Sequence, residues 1–374
     1  MFTVQFSSIL STMDFHHRRI KDTYFVDFWY KAGIALGLFP WTLQKGFMKH
    51  QIIALAFSFL AFSILSVYII IDKENCGYGM GLLIFTSLDN AAHGLFNLII
   101  LYDLVMERKR WRTLKELFHY LDKNLNYTNY VSDTYITFYI IGSILHLLLN
   151  IYANWHFFFK NSSSVGIVSG IIWNLYQMQK FITIGYLINV SLLLKRRIEK
   201  CCRILENLVK NPYQQKTEVA YKLMSLKNYK YYVLIVWNLN SLFGRKLLLF
   251  LVMAFITILD EVQFILDIDM SDIKIAIVLE NLTELILIMV LTIIIAIAGD
   301  IIEKSGDKMI KLLNILQLSI EDDFLKQELS KFAALVTELR PSLSVAGFFD
   351  VNRKLLPMLL SSFTAYIIIL IQLK

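Results

Sequence analysis

Hydrophobic residues along the chain fall into seven stretches that are long enough to cross a bilayer as helices, which takes about 20 apolar residues each. The stretches are residues 50–71, 80–105, 134–159, 166–194, 247–268, 275–299 and 355–373. An eighth stretch, residues 32–41, is only about ten residues long and contains two glycines and a proline, so we expect it at the membrane surface. The pattern predicts an all-α polytopic membrane protein with seven transmembrane helices.

The segments between the spans divide the chain further. Apolar residues recur at helical spacing among lysines and arginines in the long polar segments, which predicts cytoplasmic helices that pack together into an anchor domain. The expected units are a cytoplasmic segment 1–49 with an interfacial helix, spans one to four in 50–194, a helical linker 195–246, spans five and six in 247–299, anchor helices in 300–354, and the last span in 355–374.

Basic residues are distributed unevenly between the spans. From the N-terminal segment onward, the segments outside the spans hold 6, 1, 6, 1, 12, 1 and 8 lysines and arginines, before a final lysine at the C-terminus. Because basic loops stay in the cytoplasm, this alternation predicts a cytoplasmic N-terminus and an extracellular C-terminus. That orientation is the inverse of a seven-span receptor coupled to G proteins, which is therefore the less favoured alternative.

Composition supports the membrane assignment and excludes several other classes. Hydrophobic residues make up 56% of the chain, mean hydropathy is +0.55, and the net charge of +7 is accounted for by the basic loops, without a nucleic-acid partner. Three cysteines without metal-ligand spacing predict neither a disulfide framework nor a metal site. We find no catalytic or phosphate-binding motif, so we expect no enzyme activity and no cofactor.

The last span carries a stripe of small and polar residues. Ser361, Ala365, Ile368 and Gln372 recur at helical steps of four, three and four, and therefore share one side of the helix. A glutamine in lipid is costly unless it finds a partner or water. Spacing alone leaves two interpretations open: the stripe lines a water path, or Gln372 only reaches the headgroup region.

Short motifs near the C-terminus resemble the insect gustatory receptor family, which belongs to the insect chemoreceptor superfamily. Members end in Thr-Tyr, five apolar residues, Gln and Phe, after a Gly-Leu-Phe-x-Val/Ile-Asn/Asp block. Residues 365–373 read AYIIILIQL and residues 347–352 read GFFDVN. Alanine replaces the threonine and leucine the final phenylalanine. Residues 37–40, GLFP, also resemble the block before the family's first span.

The resemblance implies a ligand-gated, non-selective cation channel that assembles as a homo- or heterotetramer in the plasma membrane of sensory neurons. Four copies of the last span would line a central pore, with Gln372 and Leu373 at its gate. The cytoplasmic helices would form the anchor through which the subunits touch. The expected partners are the bilayer, related receptor subunits and a small tastant, either a sugar or a bitter compound.

Polar residues within spans two to six are the candidate ligand-binding residues, because polar groups in the bilayer are costly and usually have a partner or a task. The candidates are Asp89, Asn90, His93, Asn150, Trp155, Trp173, Gln177, Asp260, Gln263, Glu280 and Glu284. The alternative for each is a hydrogen bond that holds two helices together. Three carboxylates, Asp260, Glu280 and Glu284, also allow a proton-coupled transporter, the rival function from another class.

Overall fold

The computed structural model describes residues 30, 31, 33, 34, 63, 80–124, 164–210, 229–267, 275–320 and 322–373. Within these residues the chain is mostly helical, as predicted. The elements in order are α1 Met80–Met106, α2 Arg108–Asn124, α3 Ser164–Lys210, α4 Tyr229–Asp267, α5 Ile275–Ser319, α6 Asp323–Glu338, β1 Ser344–Val345, β2 Phe349–Asp350 and α7 Leu355–Leu373. The predicted first and third spans, 50–71 and 134–159, lie outside the described residues apart from position 63.

Three of the described helices contain segments that are long and apolar enough to cross a membrane: Leu83–Ile100, Tyr229–Phe264 and Leu282–Ser319. A shorter apolar segment, Leu355–Ile369, lies in the last helix. The helices α3, α4 and α5 run without a break from the predicted spans into the predicted cytoplasmic segments. The segments predicted to be cytoplasmic are therefore continuous with the predicted membrane helices.

Helix α4 contacts α1, α2, α3, α5 and α7. Helices α1 and α2 lie one after the other along α4, and α5 packs along α3. Aromatic rings fill the space between α2, α3 and α4: Trp111 meets Tyr186 edge-on at 5.6 Å, and Tyr186 stacks on Phe243 at 5.8 Å between centroids. Such pairs add to the stabilisation from burial of apolar area.

Helix α6 begins at a well-formed cap. The Asp322 carboxylate accepts hydrogen bonds from the backbone N–H groups of Phe324 and Leu325, at 3.0 and 3.3 Å. These two groups have no acceptor within the helix, so the cap fixes where α6 starts. Its buried side chains Leu325, Leu329, Ala333 and Val336 recur at helical spacing, and the helix packs against α5.

A short β-hairpin interrupts the otherwise helical chain between α6 and α7. Strands β1 and β2 pair antiparallel, with Val345 opposite Phe349. Ala346 and Gly347 have φ angles of 52° and 84°, a left-handed turn of the kind that joins hairpin strands. The all-α prediction missed this element because two-residue strands carry too few side chains to show an alternating pattern.

Candidate functional site

The buried polar residues of the membrane helices form one candidate site. Of the predicted ligand-binding residues, the structure buries Asp89, Asn90, His93, Gln177 and Glu284, and half-buries Asp260 and Gln263. Asn150 and Trp155 lie outside the described residues. Trp173 and Glu280 fall within α3 and α5, but their side chains lie outside the described part of the chain.

Helices α3 and α5 meet through a buried carboxylate. The Gln177 side-chain amide donates to Glu284 Oε1 at 2.7 Å, and Lys180 Nζ lies 4.0 Å from the same oxygen. Lys180 is 1% exposed, so this is an ammonium group taken almost fully out of solvent. Gln177 and Lys180 are one turn apart on α3, and they therefore reach Glu284 from the same side.

Helices α1 and α4 meet through two further carboxylates. Thr257 Oγ1 donates to Asp89 Oδ1 at 2.5 Å, and Thr86 Oγ1 donates to Asp260 Oδ1 at 2.9 Å. His93 turns its Nδ1 toward the Asp89 carbonyl oxygen at 2.9 Å and lies 3.4 Å from the Asp89 carboxylate. Asp89 and His93 of α1 therefore lie close together, one helical turn apart.

The two pairs of helices share one electrostatic environment. Lys180 interacts with Asp89 as well as with Glu284, and His93 interacts with both Lys180 and Glu284. We call Asp89, His93, Gln177, Lys180 and Glu284 the buried polar cluster. The cluster brings together side chains of α1, α3 and α5. Thr257 of α4 is joined to it by its hydrogen bond to Asp89.

Sequence reasoning missed three members of this site: Lys180, Thr257 and Thr86. A lysine inside an apolar span is itself a signal, because a buried ammonium group requires a nearby anion. The threonines gave no such signal, since a single hydroxyl in a span often bonds to its own helix.

The linker between α6 and α7, residues 340–354, is the second feature that bears on function. The Asn240 amide of α4 donates to the Ser342 carbonyl oxygen and accepts from the Ser344 backbone N–H, both at 2.9 Å. Arg353 pairs with Asp300 of α5 at 2.9 Å. The linker is thereby held between α4 and α5.

Two glycines let the linker lie directly against these helices. A Cβ on Gly244 of α4 would come within 2.8 Å of the Ala346 backbone nitrogen. A Cβ on Gly299 of α5 would overlap the carbonyl oxygen of Val351. Neither position has room for a side chain. The backbone of the linker therefore lies directly against the surface of α4 at Gly244 and of α5 at Gly299.

Helix α7 packs on one side only. Phe255 of α4 stacks on Phe363 at 5.3 Å and meets Tyr366 edge-on at 5.2 Å. Ser361, Ala365, Ile368 and Gln372 are all exposed, and at 3.6 residues per turn they lie on the side opposite these rings. The side chain of Leu373, the last residue of α7, lies outside the described part of the chain.

The cysteines of α3 are structural. Cys201 and Cys202 are buried, free thiols in the part of α3 beyond its predicted span. Burial raises the pKa of Cys201 to about 11 and that of Cys202 to about 12, so both remain neutral thiols at physiological pH.

Comparison with known proteins gives a family and a fold. The family model described as 7tm chemosensory receptor matches residues 26–374. No curated protein sequence matches the chain.

Two solved structures of one receptor resemble the whole chain. They are the insect olfactory receptor OR5 from Machilis hrabei in complex with eugenol, at 12% identity, and a second structure of the same receptor, at 11% identity. Each match covers 94% of this chain and 100% of the other, with a TM-score of 0.66. At that identity the likeness concerns the fold, whereas the family match extends over most of the sequence. The chain belongs to the 7tm chemosensory receptor family and is a multi-pass membrane protein.

Proposed function

We propose that this chain is a gustatory receptor subunit that acts as a ligand-gated, non-selective cation channel in the plasma membrane of sensory neurons. In this proposal four subunits, identical or related, assemble around a pore lined by α7. A small tastant, either a sugar or a bitter compound, opens it from a site among the membrane helices. The family motifs at residues 347–352 and 365–373 favour a gustatory role.

One observation carries the proposal: α7 is attached to its own subunit by one face and leaves its small and polar face uncovered. Phe363 and Tyr366 hold the helix to α4, and the stripe that ends at Gln372 points the other way. A polar face in a membrane requires water or a partner. A pore shared by several copies of α7 supplies both.

The buried polar cluster supplies the ligand-responsive part of the proposal. Its carboxylates already have partners within the protein, Gln177 on Glu284 and Thr257 on Asp89. A ligand with hydroxyl or ammonium groups gains affinity by replacing one of these partners. The replacement removes a hydrogen bond between two helices. A ligand that does this favours one arrangement of the helices over another, and such a preference is required of a ligand that opens a channel.

Two substitutions test the two halves of the proposal separately. The chain is expressed in cells, sugars and bitter compounds are applied, and membrane current is recorded. Gln372→Ala should change ion permeation or the basal leak, whereas Glu284→Ala should change the ligand response. If neither substitution alters the currents of a well-expressed protein, both site assignments are wrong.

The same recordings separate a channel from the transporter alternative. A channel gives single-channel openings, whereas a transporter gives a small current that saturates with substrate and never resolves into openings. The orientation of the chain separates both from a receptor coupled to G proteins. An epitope tag fused after Lys374 should be stained in unpermeabilised cells, and staining only after permeabilisation would contradict the topology.

A further inference from the structure

The start of α2 carries a dense group of basic residues next to the membrane. Five of the eight residues 108–115 are lysine or arginine, and they follow directly on the apolar helix α1, which ends at Met106. We propose that three exposed basic side chains of this segment, Lys109, Arg112 and Lys115, bind the headgroups of anionic phospholipids in the cytoplasmic leaflet. The proposal needs the membrane placement of α1, with its C-terminal end on the cytoplasmic side, and does not rest on channel activity.

Packing fixes which side of α2 faces outward. Trp111, Leu114 and Leu121 are buried, and Trp111 meets Phe243 of α4 edge-on at 5.8 Å. The remaining surface of this part of α2 exposes Lys109, Arg110, Arg112, Thr113, Lys115 and Glu116. Four basic groups therefore share the exposed surface with one acidic group, Glu116.

The nearby buried acids are already neutralised by other residues. The Arg245 guanidinium lies 2.7 Å from Asp103 Oδ1 and 3.0 Å from Glu107 Oε1, and Lys246 lies 3.0 Å from the second oxygen of Asp103. Arg110 pairs with Glu107 at 2.8 Å. Within the described residues, Lys109, Arg112 and Lys115 form no ion pair, so their charge is available to a phosphate group.

The exposed side of α2 continues the lipid-facing side of α1. Both helices follow α4 in the same direction: Thr86 meets Asp260, Trp111 meets Phe243, and Tyr120 meets Tyr231 at 4.6 Å. Along this path the exposed residues of α1 are apolar at Ile84, Leu88, Leu95, Leu98, Tyr102 and Met106. Beyond Met106 the exposed residues turn basic.

The point where apolar gives way to basic marks the headgroup level. Tyr102 is 47% exposed, and the Arg245 guanidinium lies 4.8 Å from its ring centre, an arrangement typical of the membrane interface. At a rise of about 1.5 Å per residue, Lys109 and Arg112 lie within about 10 Å of Met106 along the path. That is about one Debye length, so both side chains lie where anionic lipids attract basic residues.

The test uses the full-length protein, purified in a neutral detergent. Binding of short-chain phosphatidylserine, short-chain phosphatidylcholine and inorganic phosphate is measured by native mass spectrometry. The double variant Lys109→Gln/Arg112→Gln is compared with Lys311→Gln/Lys326→Gln, which removes the same charge from exposed positions on α5 and α6. Thermal unfolding of each variant establishes that it is folded.

We expect phosphatidylserine to bind more tightly than phosphatidylcholine. Its affinity should fall about 30-fold in the α2 variant, because each of the two basic residues contributes about fivefold. The control variant should bind like the parent protein. Equal binding of the two lipids, or equal affinity in the two variants, would overturn the proposal. If an equal concentration of inorganic phosphate displaced phosphatidylserine, the site would bind free phosphate and not a lipid headgroup, which would contradict the proposal.

Discussion

At the scale of single residues, the buried polar cluster shows how costly groups are accommodated inside a membrane bundle. Lys180 and Glu284 are both almost fully buried, and neither would be tolerated there alone. Each carboxylate of the cluster also accepts a hydrogen bond from a neighbouring helix. The cluster therefore holds the helices together, and it is the site that we propose for a polar ligand.

Removing one charge of the cluster should be worse than removing two. Glu284→Ala takes from Lys180 its nearest carboxylate, and we expect a loss of about 3 kcal/mol of stability. The double change Glu284→Ala/Lys180→Met removes the buried ammonium group too and should recover most of that loss. Thermal unfolding of the purified single and double variants measures the difference, and purely additive losses would rule out the coupling.

The sequence alone indicated most residues of this cluster, but not which residue of one helix contacts which residue of another. Asp89, His93, Gln177 and Glu284 could be selected as candidates because polar residues are rare in apolar membrane helices. Which carboxylate meets which partner depends on how the helices rotate against one another, and no spacing along one helix determines that. Lys180 was visible in the sequence, whereas Thr257 became visible only through its bond to Asp89.

At the scale of elements, the linker 340–354 ties the last helix to the rest of the subunit. It is fastened to α4 by Asn240 and to α5 by Arg353, and two glycines allow close contact. A shift between α4 and α5 would therefore move the start of α7. We propose this connection as the route from the buried polar cluster to the proposed pore.

Asn240 should matter more than its neighbour Asn238. Asn240→Ala removes two hydrogen bonds to the linker, whereas the Asn238 amide donates only within α4, to the Leu234 carbonyl oxygen. We expect a stability loss of about 1–2 kcal/mol for Asn240→Ala and less than half of that for Asn238→Ala. Thermal unfolding measures both, and equal losses would show that the linker contact contributes nothing.

Gly299→Ala tests the close approach of α5 and the linker. The added methyl group overlaps the backbone of Val351, so the linker has to move away from α5. We expect altered gating, seen as a shifted basal current or ligand response, at normal surface expression. Gly347→Asn is the control, because its side chain enters open space and asparagine tolerates the left-handed backbone there. Unchanged currents in Gly299→Ala would separate the linker from gating.

The helices themselves were largely predictable. Apolar stretches gave α1, α3, α4, α5 and α7, and amphipathic stretches indicated that helices continue past the spans. The hairpin was not predicted, because its strands are two residues long and depend on the turn at Ala346 and Gly347. Hydrophobic periodicity detects long helices and strands, but it cannot detect strands of two residues.

At the scale of the whole molecule, the chain combines three features: a bundle joined by buried charges, a linker fixed to two helices, and a last helix with one attached and one uncovered face. The family match supports a chemosensory role, and the likeness to an insect olfactory receptor structure supports the fold. The proposed function requires, in addition, that four subunits assemble around α7.

Modification of single cysteines along α7 tests that step most directly. In a Cys76→Ser background, cysteine is introduced at Ser361, Ala365 or Gln372, and at Phe363 or Tyr366 on the attached side. A charged methanethiosulfonate reagent is applied while current is recorded. We predict that modification changes the current at the first three positions and leaves it unchanged at the other two. Equal effects on both sides of the helix, or effects only at Phe363 and Tyr366, would contradict a pore lined by α7.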